Sequence, residues 1–123
     1  MEAILDTNFI ISCSIRGIDF ISQLEARGFK IKIPKEVIDE LKDLRIRKGQ
    51  SHDEKIAIEV VLEMISRKKI RKMSLGKGKV DDGLIKKGKE GVYIATLDKE
   101  VKRQVPNRIV ILNAKNEVGV ERD

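Results

Sequence analysis

The 123-residue sequence predicts an α/β fold, a three-layer α/β/α sandwich around a central parallel sheet of four to five strands. Three observations predict it. Short continuous apolar runs, such as Ala3–Leu5, Val92–Ala95 and Ile109–Leu112, have the pattern of strands buried on both faces. These runs alternate with segments of helical periodicity, the order that produces parallel strands joined by crossover helices. Two of the runs break into a carboxylate, Asp6 and Asp98, and open parallel sheets bind ligands outside the carboxyl ends of their strands.

Taken in order, Ala3-Ile4-Leu5 is a buried strand ending at the polar Asp6-Thr7-Asn8. Phe9 to Ile15 and Asp19 to Arg27 read as helical turns, separated by Gly17 and stopped by Gly28. Phe29 to Ile33 alternates apolar and basic residues and reads as a second strand. Pro34 ends that strand and suits the first turn of a helix, which Val37, Ile38, Leu41 and Leu44 extend to about Arg47. After the break at Gly49-Gln50, Ser51 and Glu54 have the spacing of a capping box, and the next helix runs to about Lys68. Ile70 to Leu75 fits a short strand and Gly76-Lys77-Gly78-Lys79 a flexible basic loop. Asp81-Asp82 precede a helix around Leu84-Ile85, with Gly91 as its stop. The strand Val92–Ala95 breaks at Thr96-Leu97-Asp98, and a short helix covers Lys99 to Gln104. Pro106-Asn107 turns the chain into its most apolar strand, Ile109–Leu112. From about Asn116 onward little can pack, so residues 116–123 are expected to fray. No repeat or linker divides the chain, so one domain over 1–123 is expected.

Composition narrows the function. The chain is 41% hydrophobic and 37% charged, which excludes disorder. Its 26 Lys and Arg against 20 Asp and Glu give a net charge of +6, attractive to polyanions such as nucleic acid. The single cysteine, Cys13, excludes an internal disulfide and a cysteine-rich zinc site, and reads as a small core residue. No apolar run approaches the roughly 18 residues of a membrane span, and no basic segment leads an apolar one at the N-terminus. A cytoplasmic protein without membrane contact is expected. His52, the one histidine, stands near a helix start and reads as a surface residue. Gly83 to Lys89 mimics the phosphate-binding GxxxxGK loop but is followed by Glu90 rather than Ser or Thr, and no strand leads into it.

The acids are the informative set. Asp6 and Asp98 end strands, Asp81 and Asp82 precede a helix, and Glu40 sits on the helix after the second strand. Each has an ordinary reading as a helix cap, a first-turn acid or a solvated charge. Together, around one rim, they repel one another unless a cation lies among them. A hard divalent ion, Mg²⁺ or Mn²⁺, suits carboxylate oxygens, and no Cys or His set competes. Such an arrangement supports metal-assisted hydrolysis of phosphate esters.

Four segments, ILDTNFII, IPKEVIDELKDL, VDDGLI and VYIATLDKEVKRQV, together resemble the PIN domain over nearly the whole chain. The resemblance implies an α/β/α sandwich with a parallel sheet and a Mg²⁺/Mn²⁺-dependent endoribonuclease that hydrolyses RNA with a metal-activated water. On it, Asp6, Glu40, Asp82 and Asp98 are the metal carboxylates, with Asp81 able to trade places with Asp82. Gly83 stands where the family usually carries Ala. Thr7, Asn8 and Thr96 match positions that orient the carboxylates by hydrogen bonds. RNA is the implied partner, held along its phosphates by Arg45, Arg47, Lys48, Lys77, Lys79 and Lys86. With no Trp, three Phe and one Tyr, recognition by base stacking is not expected; backbone contacts and RNA shape would select the substrate. Family members act as the toxin of a toxin–antitoxin pair or in RNA processing, including pre-ribosomal RNA. The run Asp98-Lys99-Glu100-Val101-Lys102-Arg103 before Pro106 resembles the archaeal processing-type branch. An antitoxin or ribosome-assembly partner and a homodimer are further implications. The alternative is a non-catalytic RNA-binding or assembly module on the same fold.

Overall fold

The computed structural model describes all 123 residues. Its elements are β1 (Glu2–Leu5), α1 (Thr7–Ile15), α2 (Phe20–Ala26), β2 (Lys30–Pro34), α3 (Lys35–Ile46), α4 (His52–Arg67), β3 (Arg71–Met73), α5 (Val80–Lys89), β4 (Tyr93–Ala95), α6 (Lys99–Gln104), β5 (Asn107–Leu112) and β6 (Glu117–Arg122). The strands form one sheet in the order β3-β2-β1-β4-β5-β6. Every pairing is parallel except the last, in which β6 runs back along β5 from Leu112↔Glu117 to Asn107↔Arg122.

Period-2 alternation divides the core into two layers. Ala3 and Leu5 of β1, with Tyr93 and Ala95 of β4, face a cluster of 22 buried residues that includes Phe9, Phe20, Leu24, Leu41 and Ile58 of α1 to α4. Ile4 and Ile94, on the other side of the same strands, meet Leu84, Val101 and Val105 beneath α5 and α6. The asymmetry follows from the chain: four helices cross one face, and two cover the other.

Local chemistry sets the boundaries. Ser51 accepts the Glu54 N–H at 3.1 Å, the cap that its spacing predicts. Asp19 caps α2 by accepting the Ser22 N–H, and this bond, helped by the Ser22 hydroxyl, holds its carboxyl below the ordinary carboxylate range. Gly28 and Gly91, at φ +86° and +99°, follow α2 and α5 in the left-handed region that glycine tolerates. Pro34 is the last residue of β2 and the cap of α3, one position ahead of the first helical turn. Asp81 and Asp82 likewise lie inside the first turn of α5 rather than before it. No helix is long and apolar enough to cross a membrane.

The expected frayed tail is instead β6, the sixth strand. The reason lies in contacts distant in sequence. Arg16 donates to the side chains of Asn113 and Asn116, and Asn116 donates back to the Arg16 carbonyl at 3.0 Å, fixing the turn between β5 and β6. Val118 is then buried, its N–H bonded to Gln23 Oε1 at 2.8 Å and its carbonyl to Arg27. Arg122 closes the other end over the Tyr93 ring, 5.3 Å from its centroid.

Candidate active site

β1 is central in the sheet. From it the chain moves outward through β2 to β3, then crosses to β4 on the other side of β1 and continues to β5. The strand order therefore reverses between β1 and β4, and the crevice at their carboxyl ends is where open α/β sheets bind ligands. Asp6 and Asp98 follow these two strands.

Asp6 has extended backbone (φ −91°, ψ 160°), and its N–H continues the sheet by bonding the Ala95 carbonyl at 2.9 Å. Its Oδ1 accepts the Thr7 N–H at 2.8 Å, so it does cap α1. Its Oδ2 accepts a hydrogen bond from Thr96 Oγ1 at 2.9 Å, across the crevice. The same Thr96 hydroxyl accepts the Asp98 N–H at 3.1 Å. Asp98 in turn caps α6, its Oδ1 accepting the N–H groups of Glu100 at 2.8 Å and Val101 at 3.1 Å. On the α1 side, Thr7 Oγ1 donates to Glu40 Oε2 at 3.1 Å.

Apart from Tyr93, whose hydroxyl meets Arg122, and the Cys13 thiol, the only buried polar side chains are Thr7 and Thr96, at 2% and 0% exposure. A buried hydroxyl is costly unless hydrogen-bonded. Both of these are satisfied by carboxylates of the rim, so Asp6, Glu40 and Asp98 are tied into one network through two threonines. Asn8, expected to join them, is exposed on α1 and its side chain makes no hydrogen bond within the protein.

The first turn of α5 brings two acids to the rim. Leu84 and Gly88 are the buried residues of this helix, and Asp81 precedes them by three and seven positions, on the same face. Asp82 lies about 100° farther round, at 3.6 residues per turn. Partial desolvation, then the charges of Asp98, Asp6 and Asp82, push the Asp81 carboxyl above its ordinary range, and Lys79 opposes them. Asp81 therefore feels the charges of Asp6 and Asp98, and its i, i+3, i+7 relation to Leu84 and Gly88 sets it on a different face of α5 from Asp82. Gly83 is small for a reason: a Cβ there would lie 2.9 Å from the Leu75 Cβ.

The donors are all carboxylate oxygens, the chemistry of a hard divalent ion. As they stand, however, no three acidic, histidine or cysteine side chains converge closely enough to hold an ion. Lys77 and Lys79 belong to the loop that leads into α5, beside the acids. Arg45 ends α3 and Arg47 and Lys48 follow it, all exposed. Lys86 lies in the last turn of α5, about 7 Å along the axis from Asp81 at 1.5 Å per residue. The next residue, Lys87, acts on Glu2 at the amino end of β1, so this end of α5 points away from the rim at the strands' carboxyl ends. His52 is exposed at the start of α4. Cys13 is fully buried, which pushes its thiol up to about 12 and leaves it chemically inert.

A family model described as a PIN-like domain matches residues 3–114. Among solved structures, the chain resembles the PIN domain endonuclease Utp24 at 22% identity, with a TM-score of 0.74, covering 99% of this chain and 92% of that one. It also resembles a domain of a functionally unknown protein from Methanocaldococcus jannaschii DSM 2661, at 21% identity and a TM-score of 0.50, covering 83% and 81% of the two chains. At these identities the likeness is one of fold. No curated protein matches the sequence.

Proposed function

The chain belongs to the PIN-like domain family, and we propose that it is a metal-dependent endoribonuclease hydrolysing RNA phosphodiester bonds. The observation that carries this reading is the pair of buried threonines, Thr7 and Thr96, whose hydroxyls are spent on Glu40 and Asp6 at the β1–β4 crevice. A protein that needed only helix caps there would have no use for buried hydroxyls aimed at the carboxylates.

Asp6, Glu40, Asp98 and an α5 acid, Asp82 or Asp81, would hold Mg²⁺ or Mn²⁺; the charges of Asp6 and Asp98 acting on Asp81 support Asp81 as the α5 acid. When bound, the ion supplies an activated water and charge stabilisation at the leaving oxygen. The rest is the work of the chain. Thr96 fixes the Asp6 carboxylate by holding Oδ2 from one side while the Thr7 N–H holds Oδ1 from the other. Thr7 restrains Glu40, and the α6 N–H groups restrain Asp98. Lys77 and Lys79 steer the polyanion toward the acids, with Arg45, Arg47, Lys48 and Lys86 as more distant phosphate contacts.

RNA is the proposed substrate, and Utp24, described as an endonuclease, supports internal cutting. The role in the cell is RNA processing, including pre-ribosomal RNA, or that of a toxin with its antitoxin; a gene for a small DNA-binding protein directly upstream decides for the toxin. Ile15, Ile56 and Val60, exposed together on α1 and α4, support a homodimer. A second reading, a non-catalytic RNA-binding or assembly module, is favoured by one observation: the acids do not converge as they stand. Incubation of structured and unstructured RNA with Mg²⁺, Mn²⁺ or EDTA separates the two. Cutting that needs the ion and is lost in Asp98→Asn supports the enzyme, and binding without cutting supports the module.

A further inference from the structure

Glu36, one helical turn before Glu40 on α3, has no part in the acidic rim. Residues four apart share a helix face, so Glu36 and Glu40 point to the same side of α3. Glu40 meets Thr7 of α1, whereas both carboxylate oxygens of Glu36 accept the Leu75 N–H, at 3.0 and 3.3 Å. Leu75 follows β3 in the loop that delivers the chain to α5. Its neighbouring Gly76 N–H is held by Ser74 Oγ at 3.1 Å. Its side chain packs on the smaller core layer and sits so close to Gly83 that no Cβ fits there. A single residue therefore carries contact from α3 to the first turn of α5, the turn that contains Asp81.

The structure assigns Glu36 as a positioning residue for the acidic rim. By holding the Leu75 N–H, it fixes how closely the first turn of α5 approaches Asp6 and Asp98, and it sets the register between the acids of α3 and α5. A charged acceptor gives a stronger bond than a neutral one, and this one is only partly exposed, so the tie is firm. The loop it secures also carries Lys77 and Lys79, of which Lys79 acts on Asp81. The inference rests on the metal-dependent reading of the rim. It goes beyond that reading by assigning a role to an acid that touches neither ion nor substrate.

The test compares the full chain with Glu36→Ala and Glu36→Gln, the latter keeping an acceptor oxygen for the Leu75 N–H. Two readouts need no RNA: amide hydrogen exchange over residues 75–82 in metal-free protein, and the Mn²⁺ concentration that half-broadens the amide resonances of residues 6, 81 and 98. Glu36→Ala is expected to accelerate exchange over 75–82 while β1 and β4 keep their protection. It is also expected to raise the Mn²⁺ midpoint about tenfold, the scale of losing an outer partner of a metal ligand. Glu36→Gln is expected to restore most of both. Unchanged exchange in Glu36→Ala, a wild-type Mn²⁺ midpoint, or a Glu36→Gln as impaired as Glu36→Ala overturns the assignment. Wild-type protein that binds Mn²⁺ at the rim yet cuts no RNA removes the ribonuclease reading and leaves Glu36 in place. Wild-type protein that shows no Mn²⁺ response at these residues removes both.

Discussion

The Thr96 hydroxyl donates to Oδ2 of Asp6 at 2.9 Å and accepts the Asp98 N–H at 3.1 Å, so one buried oxygen joins the acids of two neighbouring strands. The relationship explains why Asp6 is more than a cap. Its cap bond occupies Oδ1, and a different contact, from a side chain 90 residues away in sequence, holds Oδ2.

Thr96→Val keeps the shape of this side chain and removes both bonds. The expected loss of stability is about 1–3 kcal/mol. The expected loss of cleavage is about 10- to 100-fold, because Asp6 loses the group that orients it. Thermal melts and initial cleavage rates on the same preparation check both. Activity that falls only in step with stability counts against the orienting role.

Asp81 and Asp82 are separable by substitution. Asp81→Asn is expected to abolish cleavage and Asp82→Asn to leave it within a few-fold of wild type. Stability without metal provides an independent check with a definite sign. The Asp81 carboxyl is raised above its ordinary value of 3.8, so the folded state binds its proton more readily than the unfolded state does. Its favourable contribution is therefore present below the unfolded value and is lost as pH rises through the folded one. At pH 7 without metal, Asp81→Asn should be more stable than wild type, by less than about 1 kcal/mol given the solvent exposure of the site. Chemical denaturation at pH 7 in EDTA measures it, and a destabilised Asp81→Asn contradicts the repulsion.

Gly83→Ala sets two effects against each other. Alanine improves helix propensity by about 1 kcal/mol, but its Cβ would stand 2.9 Å from the Leu75 Cβ. Overpacking of this kind costs about 1–3 kcal/mol, so a net destabilisation is expected. Because Leu75 must move, cleavage should fall further than the melting temperature implies. A stabilised Gly83→Ala with full activity shows that the loop yields freely.

Much of this architecture was legible in the sequence, and the exceptions have physical causes. Apolar runs and cap residues located the parallel strands, α6 at Lys99–Gln104 and the Ser51 cap, because those signals are local. β6 was not legible, since Glu117–Arg122 is held by Gln23, Arg27 and Tyr93, and the turn before it by Arg16, all distant in sequence. Asp6 and Asp98 were visible as polar breaks after strands, and the family resemblance pointed to Thr7 and Thr96, whose hydroxyls bond Glu40 and Asp6. Asn8 was expected to bond them as well, but its side chain makes no hydrogen bond within the protein, because the first turn of α1 leaves it facing solvent. Glu36 escaped notice for the opposite reason: its partner is a backbone N–H in a loop, which no side-chain pattern reveals.

The contribution of β6 is testable by Val118→Ala. This removes buried methyl groups from a side chain that is 1% exposed, with an expected cost of about 2 kcal/mol. A frayed tail would show no change on urea denaturation.

The most direct measurement of the central claim is cleavage of an end-labelled RNA by wild type and Asp6→Asn, each with Mn²⁺ and with EDTA. Asparagine caps a helix about as well as aspartate, so the variant should melt within a few degrees of wild type. If Asp6 holds a metal, wild type cuts with Mn²⁺ and not with EDTA, and Asp6→Asn is slower by about 100-fold or more. Equal cutting by the two proteins, or cutting that persists in EDTA, contradicts it.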